Sequence, residues 1–295
     1  MSIFKNAAVA IVTPFKEDLS VNYDAFADLI DYQIDNGTDC IVVCGSTGEA
    51  ATMTEQEHLD VCKFCIDYTK KRVPVIAGSG SNCTQTAINL SRDIAGYGAD
   101  GLLVIHPYYN KATQKGLVKH FSMVAEAANG CPVVIYNVPG RTGGNIAPET
   151  VAQLVKEVPN IVGIKEASGD ISQIVKIMKL TDGNIDLYSG NDDQVVPLMS
   201  MGGIGVISVL SNIAPKAVHD MCDKFLKGDV AGAAKIQLDT LDLVENLFSE
   251  VNPIPVKKAC NLMGMNAGPL RMPLTEMEDA HARKLEDAMR AFGLL

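Results

Sequence analysis

The feature that most constrains the fold of this chain is an eightfold alternation. Eight short, nearly continuous apolar runs are separated by stretches with helical spacing, and each run stops at a small or polar turn. The runs cover residues 7–12, 40–44, 73–77, 101–105, 132–136, 161–165, 185–189 and 205–209. Strands buried on both faces read as uninterrupted apolar segments, and alternation with helices implies parallel pairing through crossovers. Eight such units predict an α/β chain closed into a (β/α)8 TIM barrel with its helices outside. The run at 185–189 is the weakest, because its alternation is less clean. An open, doubly wound sheet is the alternative. Gly78-Ser79-Gly80 lacks the third glycine of a dinucleotide fingerprint, and no acidic residue stands out about 20 residues on.

Helix signals support the same layout. Residues 23–36 carry Phe26, Leu29, Ile30 and Ile34 at helical spacing, and Thr54 with Glu57 reads as a capping box. A further helix is predicted over 84–96. After residue 227 the alternation stops. Helical patterns follow at 230–248, 256–263 and 275–290, the last opened by a second box at Thr275 and Glu278. The expected organisation is a catalytic barrel over 1-227 and a C-terminal helical domain over 228-295.

The 295 residues suit such a barrel. A net charge of -10 without a basic cluster excludes nucleic acid as a partner. No apolar stretch reaches about 18 residues, so no membrane span is expected. The first residues lack the basic and long apolar regions of a signal peptide, and a cytoplasmic location is expected. Cys40, Cys44, Cys83 and Cys131 lie in or beside apolar segments and read as small hydrophobes. Cys62 and Cys65 form a C-x-x-C without a second pair, which favours core packing over zinc. All eight are read as reduced thiols.

In such barrels the reacting groups sit at the C-terminal strand ends. These ends supply Thr13-Pro14, Ser46-Thr47, Tyr108-Tyr109, Tyr136, Arg141, Lys165, Gly190 and Ile207. The set contains one lysine, several hydroxyls and one arginine. It has no cluster of acids or histidines, so no metal is expected. Lys165 closes a buried run, and lost hydration favours a neutral, nucleophilic amine. It equally fits a lysine that marks where a strand meets water. A Schiff-base enzyme needs an amine, a proton shuttle and a carboxylate holder, and this set offers all three.

Four ordered stretches carry a resemblance. They are Gly45-Ser46-Thr47-Gly48-Glu49, Tyr108-Tyr109-Asn110, Tyr136-Asn137-Val138-Pro139-Gly140-Arg141-Thr142-Gly143 and Gly163-Ile164-Lys165-Glu166-Ala167-Ser168-Gly169-Asp170. Together they resemble the dihydrodipicolinate synthase (4-hydroxy-tetrahydrodipicolinate synthase) family over the whole chain. The resemblance implies a lyase-type condensation of pyruvate with L-aspartate-4-semialdehyde, the first committed step of diaminopimelate and lysine biosynthesis. It implies no cofactor beyond a Schiff base on Lys165. Tyr136, Ser46 and Tyr109 become a hydroxyl relay, with Tyr109 reaching into a neighbouring subunit. Thr47 holds the pyruvate carboxylate, and Arg141 receives that of the semialdehyde. Gly190 and Ile207 line the pocket. A homotetramer built from tight dimers is implied.

Two departures stand out: serine replaces the family's usual threonine at 46, and Asn191 replaces an acidic residue. N-acetylneuraminate lyase or a 2-keto-3-deoxy-sugar-acid aldolase is the alternative, and Arg141 argues against both. The resemblance also implies a lysine-binding cleft. Asn82, Tyr108 and His58 keep the residues of lysine-sensitive bacterial members there, whereas Ala50, Glu55 and Thr86 replace a serine, a histidine and a glutamate. Weak or absent inhibition by lysine is therefore expected.

Overall fold

A computed structural model describes residues 2–295. Eight parallel strands close into a barrel in sequence order. They are β1 (Asn6–Ala10), β2 (Cys40–Val43), β3 (Val75–Gly78), β4 (Gly101–Ile105), β5 (Val133–Asn137), β6 (Ile161–Glu166), β7 (Asp186–Ser189) and β8 (Gly205–Ser208). Strand β1 pairs with both β2 and β8, so no strand edge is left free. The helices between them are α1 (Tyr23–Asp35), α2 (Glu55–Thr69), α3 (Thr84–Gly96), α4 (Gln114–Ala127), α5 (Pro139–Thr142), α6 (Pro148–Glu157), α7 (Ile171–Leu180) and α8 (Val195–Ser200). After β8 come α9 (Pro215–Leu226), α10 (Val230–Asp239), α11 (Leu241–Leu247), α12 (Ile254–Leu262) and α13 (Asp279–Phe292).

Side-chain alternation splits the core into two layers. Ala8, Ala10, Val42, Ile76, Leu103, Val134, Tyr188 and Ile207 fill the barrel interior. Val9, Ile41, Val43, Leu102, Val104, Ile135, Ile164 and Leu187 pack outward with the helices. Both faces are apolar, which is why the strands read as continuous runs.

The capping box is present at Thr54, whose side chain accepts from Glu57 N–H while Glu57 reaches back to the Thr54 N–H. The expected box at Thr275 is not formed, because α13 begins at Asp279. There Glu250 accepts from the Glu278 backbone N–H at 3.0 Å and from His281 Nδ1 at 2.8 Å. A carboxylate distant in sequence thus caps the helix. The single helix expected over 230–248 is two, α10 and α11, meeting at Thr240. The Thr240 hydroxyl donates back to the carbonyls of Ile236 and Gln237, a bond that bends helices. Cys83 is exposed at the start of α3 and is not a core hydrophobe. No helix among the described residues is long and apolar enough to cross a membrane.

Candidate active site

The C-terminal strand ends open into one cavity of about 640 Å³. Ser46, Thr47, Tyr136, Arg141, Lys165 and Gly190 all line it. Two other expected residues do not. Ile207 is fully buried in the barrel interior beneath the cavity, and Val209 takes the wall position. Tyr109 is 88% exposed, with φ +72°, and does not line the cavity of its own chain.

Lys165 sits on β6 in register with Tyr136 of β5 and Tyr188 of β7. Equal register on parallel strands turns all three side chains into the barrel. The Tyr188 hydroxyl donates to the Phe4 carbonyl at 3.0 Å, and its ring stacks on Phe4, so Tyr188 is a floor. The Lys165 amine lies 4.4 Å from the centroid of the Tyr136 ring. Burial lowers the Lys165 pKa from 10.5 to about 8; the Asp192 carboxylate opposes that shift and Arg141 reinforces it. Burial pushes the Tyr136 phenol up to about 12, with Arg141 pulling the other way. The site therefore holds a lysine near its titration point beside a phenol that keeps its proton.

Gly190 explains how the amine fits. A Cβ there would come 2.6 Å from Ala167 Cβ and 3.0 Å from Lys165 Cε. Asp192 is anchored through one oxygen, which accepts from the N–H groups of Val209 and Leu210. Its other oxygen is buried without a hydrogen-bond partner.

Thr47 and Arg141 are tied together from the C-terminal extension. Asn252 Nδ2 donates to Thr47 Oγ1 at 2.9 Å, and the Asn252 carbonyl accepts from the Arg141 guanidinium at 2.9 Å. Arg141 itself rides on α5, whose start is fixed by Pro139. A second tie holds the loop at residues 45–49. Lys257 Nζ donates to Glu49 Oε1 at 2.6 Å and to the Pro269 carbonyl at 2.7 Å, over the Phe15 ring. Burial lowers the Lys257 pKa to about 8, and Glu49 opposes it. Next to Lys165 in sequence, Glu166 accepts from Asn137, Gln173 and the Ser168 N–H, which fixes the end of β6. Burial raises the Glu166 pKa.

Sequence reasoning missed Asn252, Lys257 and Glu166. An asparagine before a proline reads as a turn, and nothing local shows that it lies beside Thr47, 205 residues away. A lysine within an amphipathic helix reads as solvated. One further group stands at the rim: the sulfurs of Cys44 and Cys62 and a His58 ring nitrogen lie within 4.8 Å of one another.

The geometry matches known proteins along its whole length. The sequence model of the Dihydrodipicolinate synthetase family matches residues 3–292. The chain is 58% identical over 295 residues to the 4-hydroxy-tetrahydrodipicolinate synthase of Lachnoclostridium phytofermentans, covering all of both sequences. It is 52% identical, again over the full length of both, to the enzyme of that name from Clostridium tetani. Among solved structures, dihydrodipicolinate synthase from Cyanidioschyzon merolae, with lysine bound, superposes with a TM-score of 0.97 at 40% identity, covering all of both chains.

Proposed function

The chain belongs to the dihydrodipicolinate synthetase family, and from that premise we propose how it condenses pyruvate with L-aspartate-4-semialdehyde as a 4-hydroxy-tetrahydrodipicolinate synthase. The observation that carries the reading is the buried Lys165 amine, lowered to about 8, against the Tyr136 ring and facing the same cavity as Thr47 and Arg141. In its neutral form the amine attacks the pyruvate ketone, and water leaves to give the imine. Tyr136 passes the protons together with Ser46 and with Tyr109 from a second copy. Loss of a methyl proton makes the enamine, whose carbon attacks the aldehyde. The amine of the second substrate then attacks the imine carbon and displaces Lys165 as the ring closes. No cofactor takes part, because the lysine itself supplies the electron sink.

In this reading residues 1-227 are the catalytic barrel, and residues 228-295 hold Asn252 against it. The chain acts in the cytoplasm as a homo-oligomer, a tetramer of tight dimers. An exposed tyrosine in a left-handed conformation, which few residues adopt, supports a second copy as its destination. The test is turnover with pyruvate plus aspartate semialdehyde, set against pyruvate plus N-acetylmannosamine. Faster turnover of the second pair would replace this reading with the sialic acid lyase one.

Arg141→Ala should raise KM for aspartate semialdehyde by about 10- to 100-fold, the loss of one or two charge-assisted hydrogen bonds. Borohydride trapping of pyruvate should persist, since the guanidinium contacts the Asn252 carbonyl rather than the amine. Equal loss of both would make Arg141 a brace for the whole pocket.

Lysine should inhibit weakly. Ala50, Glu55, His58, Thr86 and Tyr108 line the same cavity, with Thr86 where lysine-sensitive relatives place a glutamate. Glu55 lies near, accepting from the Thr86 hydroxyl at 3.4 Å, but from a different direction. An ammonium left without its carboxylate costs a few kcal/mol. Calorimetry and rates at millimolar lysine check this, and tight binding with strong inhibition would show that Glu55 has taken over the pairing.

A further inference from the structure

We propose that Cys44, His58 and Cys62 form a binding site for a thiophilic divalent cation, Zn²⁺ by chemistry, in the wall of the active-site cavity. His58 and Cys62 are four residues apart on α2 and therefore share one helix face. Cys44 follows β2 with φ +53°, a left-handed conformation that costs about 1 kcal/mol outside glycine. That conformation sets its sulfur against α2, 3.8 Å from the His58 carbonyl oxygen. The three candidate ligand atoms lie within 4.8 Å of one another. Tetrahedral zinc with two sulfurs and one imidazole spaces its ligands about 3.5–3.8 Å apart. Closing the difference draws the ligand atoms together by at most about 1 Å.

The outer contacts fit the same chemistry. His58 Nε2 lies 2.6 Å from the Gly78 carbonyl oxygen. A carbonyl only accepts, so Nε2 carries the proton and Nδ1 keeps the lone pair. Metal-bound histidines usually donate their other N–H to such a partner. Access comes from the cavity, which Cys44 and His58 line; Cys62 is fully buried beside them. A water from that cavity would complete four-coordination. Two soft thiolates select zinc-like ions over magnesium or calcium. Both thiols give up their protons on binding, so Zn²⁺ with two thiolates is uncharged and two protons reach solvent. Cys65, the other half of the C-x-x-C, is not among the three ligands.

Cys44 immediately precedes Gly45-Ser46-Thr47. Drawing its sulfur toward α2 shifts that loop, so the cation inhibits turnover reversibly. This last step rests on the synthase reading; binding does not.

The test uses reduced, metal-free, full-length protein and Co²⁺ as the probe. One equivalent should give thiolate-to-cobalt charge transfer in the near ultraviolet and the strong visible bands of four-coordinate cobalt. Zn²⁺ should abolish both, and two protons should be released per metal. Cys62→Ala should weaken binding at least about tenfold and leave metal-free turnover unchanged. Cys83→Ala, which removes an exposed thiol, should leave the bands intact. Absent bands, or bands that survive in Cys62→Ala, overturn the site. The spectra need no substrate, so failure of the synthase assay leaves them readable.

Discussion

Lys165→Ala is expected to lower turnover on the order of 10⁴–10⁶-fold, the usual loss when a covalent nucleophile is removed. Borohydride with pyruvate should add one reduced pyruvyl group to the peptide containing Lys165, and none to the variant. Lys257 is an internal control. It too is buried and lowered to about 8, but Glu49 and the Pro269 carbonyl occupy its ammonium protons. Label on Lys257, or undiminished labelling of Lys165→Ala, would sink the assignment. Imine formation should accelerate as pH rises through about 8, where the amine loses its proton. The same lowering bears on stability. In the unfolded chain Lys165 keeps its proton to about 10.4. Below about 8 both states are protonated, and the native state bears the full cost of a buried ammonium, of order 3 kcal/mol. Between those values the unfolded chain binds more protons, so stability rises with pH. Lys165→Met, which keeps the volume without the charge, should therefore melt higher than wild type at pH 7. That advantage should shrink as pH climbs past 8. A variant that melts lower throughout would show that the ammonium is already well solvated.

How much of this was legible in the sequence depends on the range of the interaction. All eight strands were readable, because strands buried on both faces leave continuous apolar runs and the turns after them are short. Lys165, Tyr136, Ser46, Thr47, Arg141 and Gly190 line one cavity because the barrel places every strand end on one rim. Ile207 lies one step deeper than that rule places it. It is still inside the barrel, and the chain reaches the cavity wall only at Val209. The ties from the extension had no local signature. Asn252 meets Thr47, and Glu250 caps α13, through contacts set by how α11 and α12 pack. The Thr275 box failed for that reason: the distant carboxylate offered the first turn a partner further along. Cys62 was read with Cys65 by spacing, whereas the fold pairs it with Cys44 from another element.

Tyr136→Phe is expected to lower kcat by about 10²–10⁴-fold, the range for one positioned proton-transfer group. The ring stays, so the Lys165 amine keeps its aromatic neighbour and the core keeps its volume. Only the hydroxyl goes. Burial holds that phenol near 12, so at neutral pH it acts by passing a proton along a chain of hydroxyls rather than by ionising into water. The defect should therefore sit in kcat, with pyruvate trapping by borohydride slowed but still complete given time. Tyr188 supplies the comparison, because it flanks Lys165 on the opposite strand in the same register. Its hydroxyl is spent on the Phe4 carbonyl, away from any substrate. Tyr188→Phe should thus lose about 1 kcal/mol of stability and little turnover, whereas Tyr136→Phe should lose turnover and little stability. Melting temperatures and kcat measured on both variants separate a relay from a brace. If the two substitutions behave alike, or if Tyr136→Phe keeps nearly normal turnover, Tyr136 is packing rather than chemistry, and the proton route must run through Ser46 and water instead.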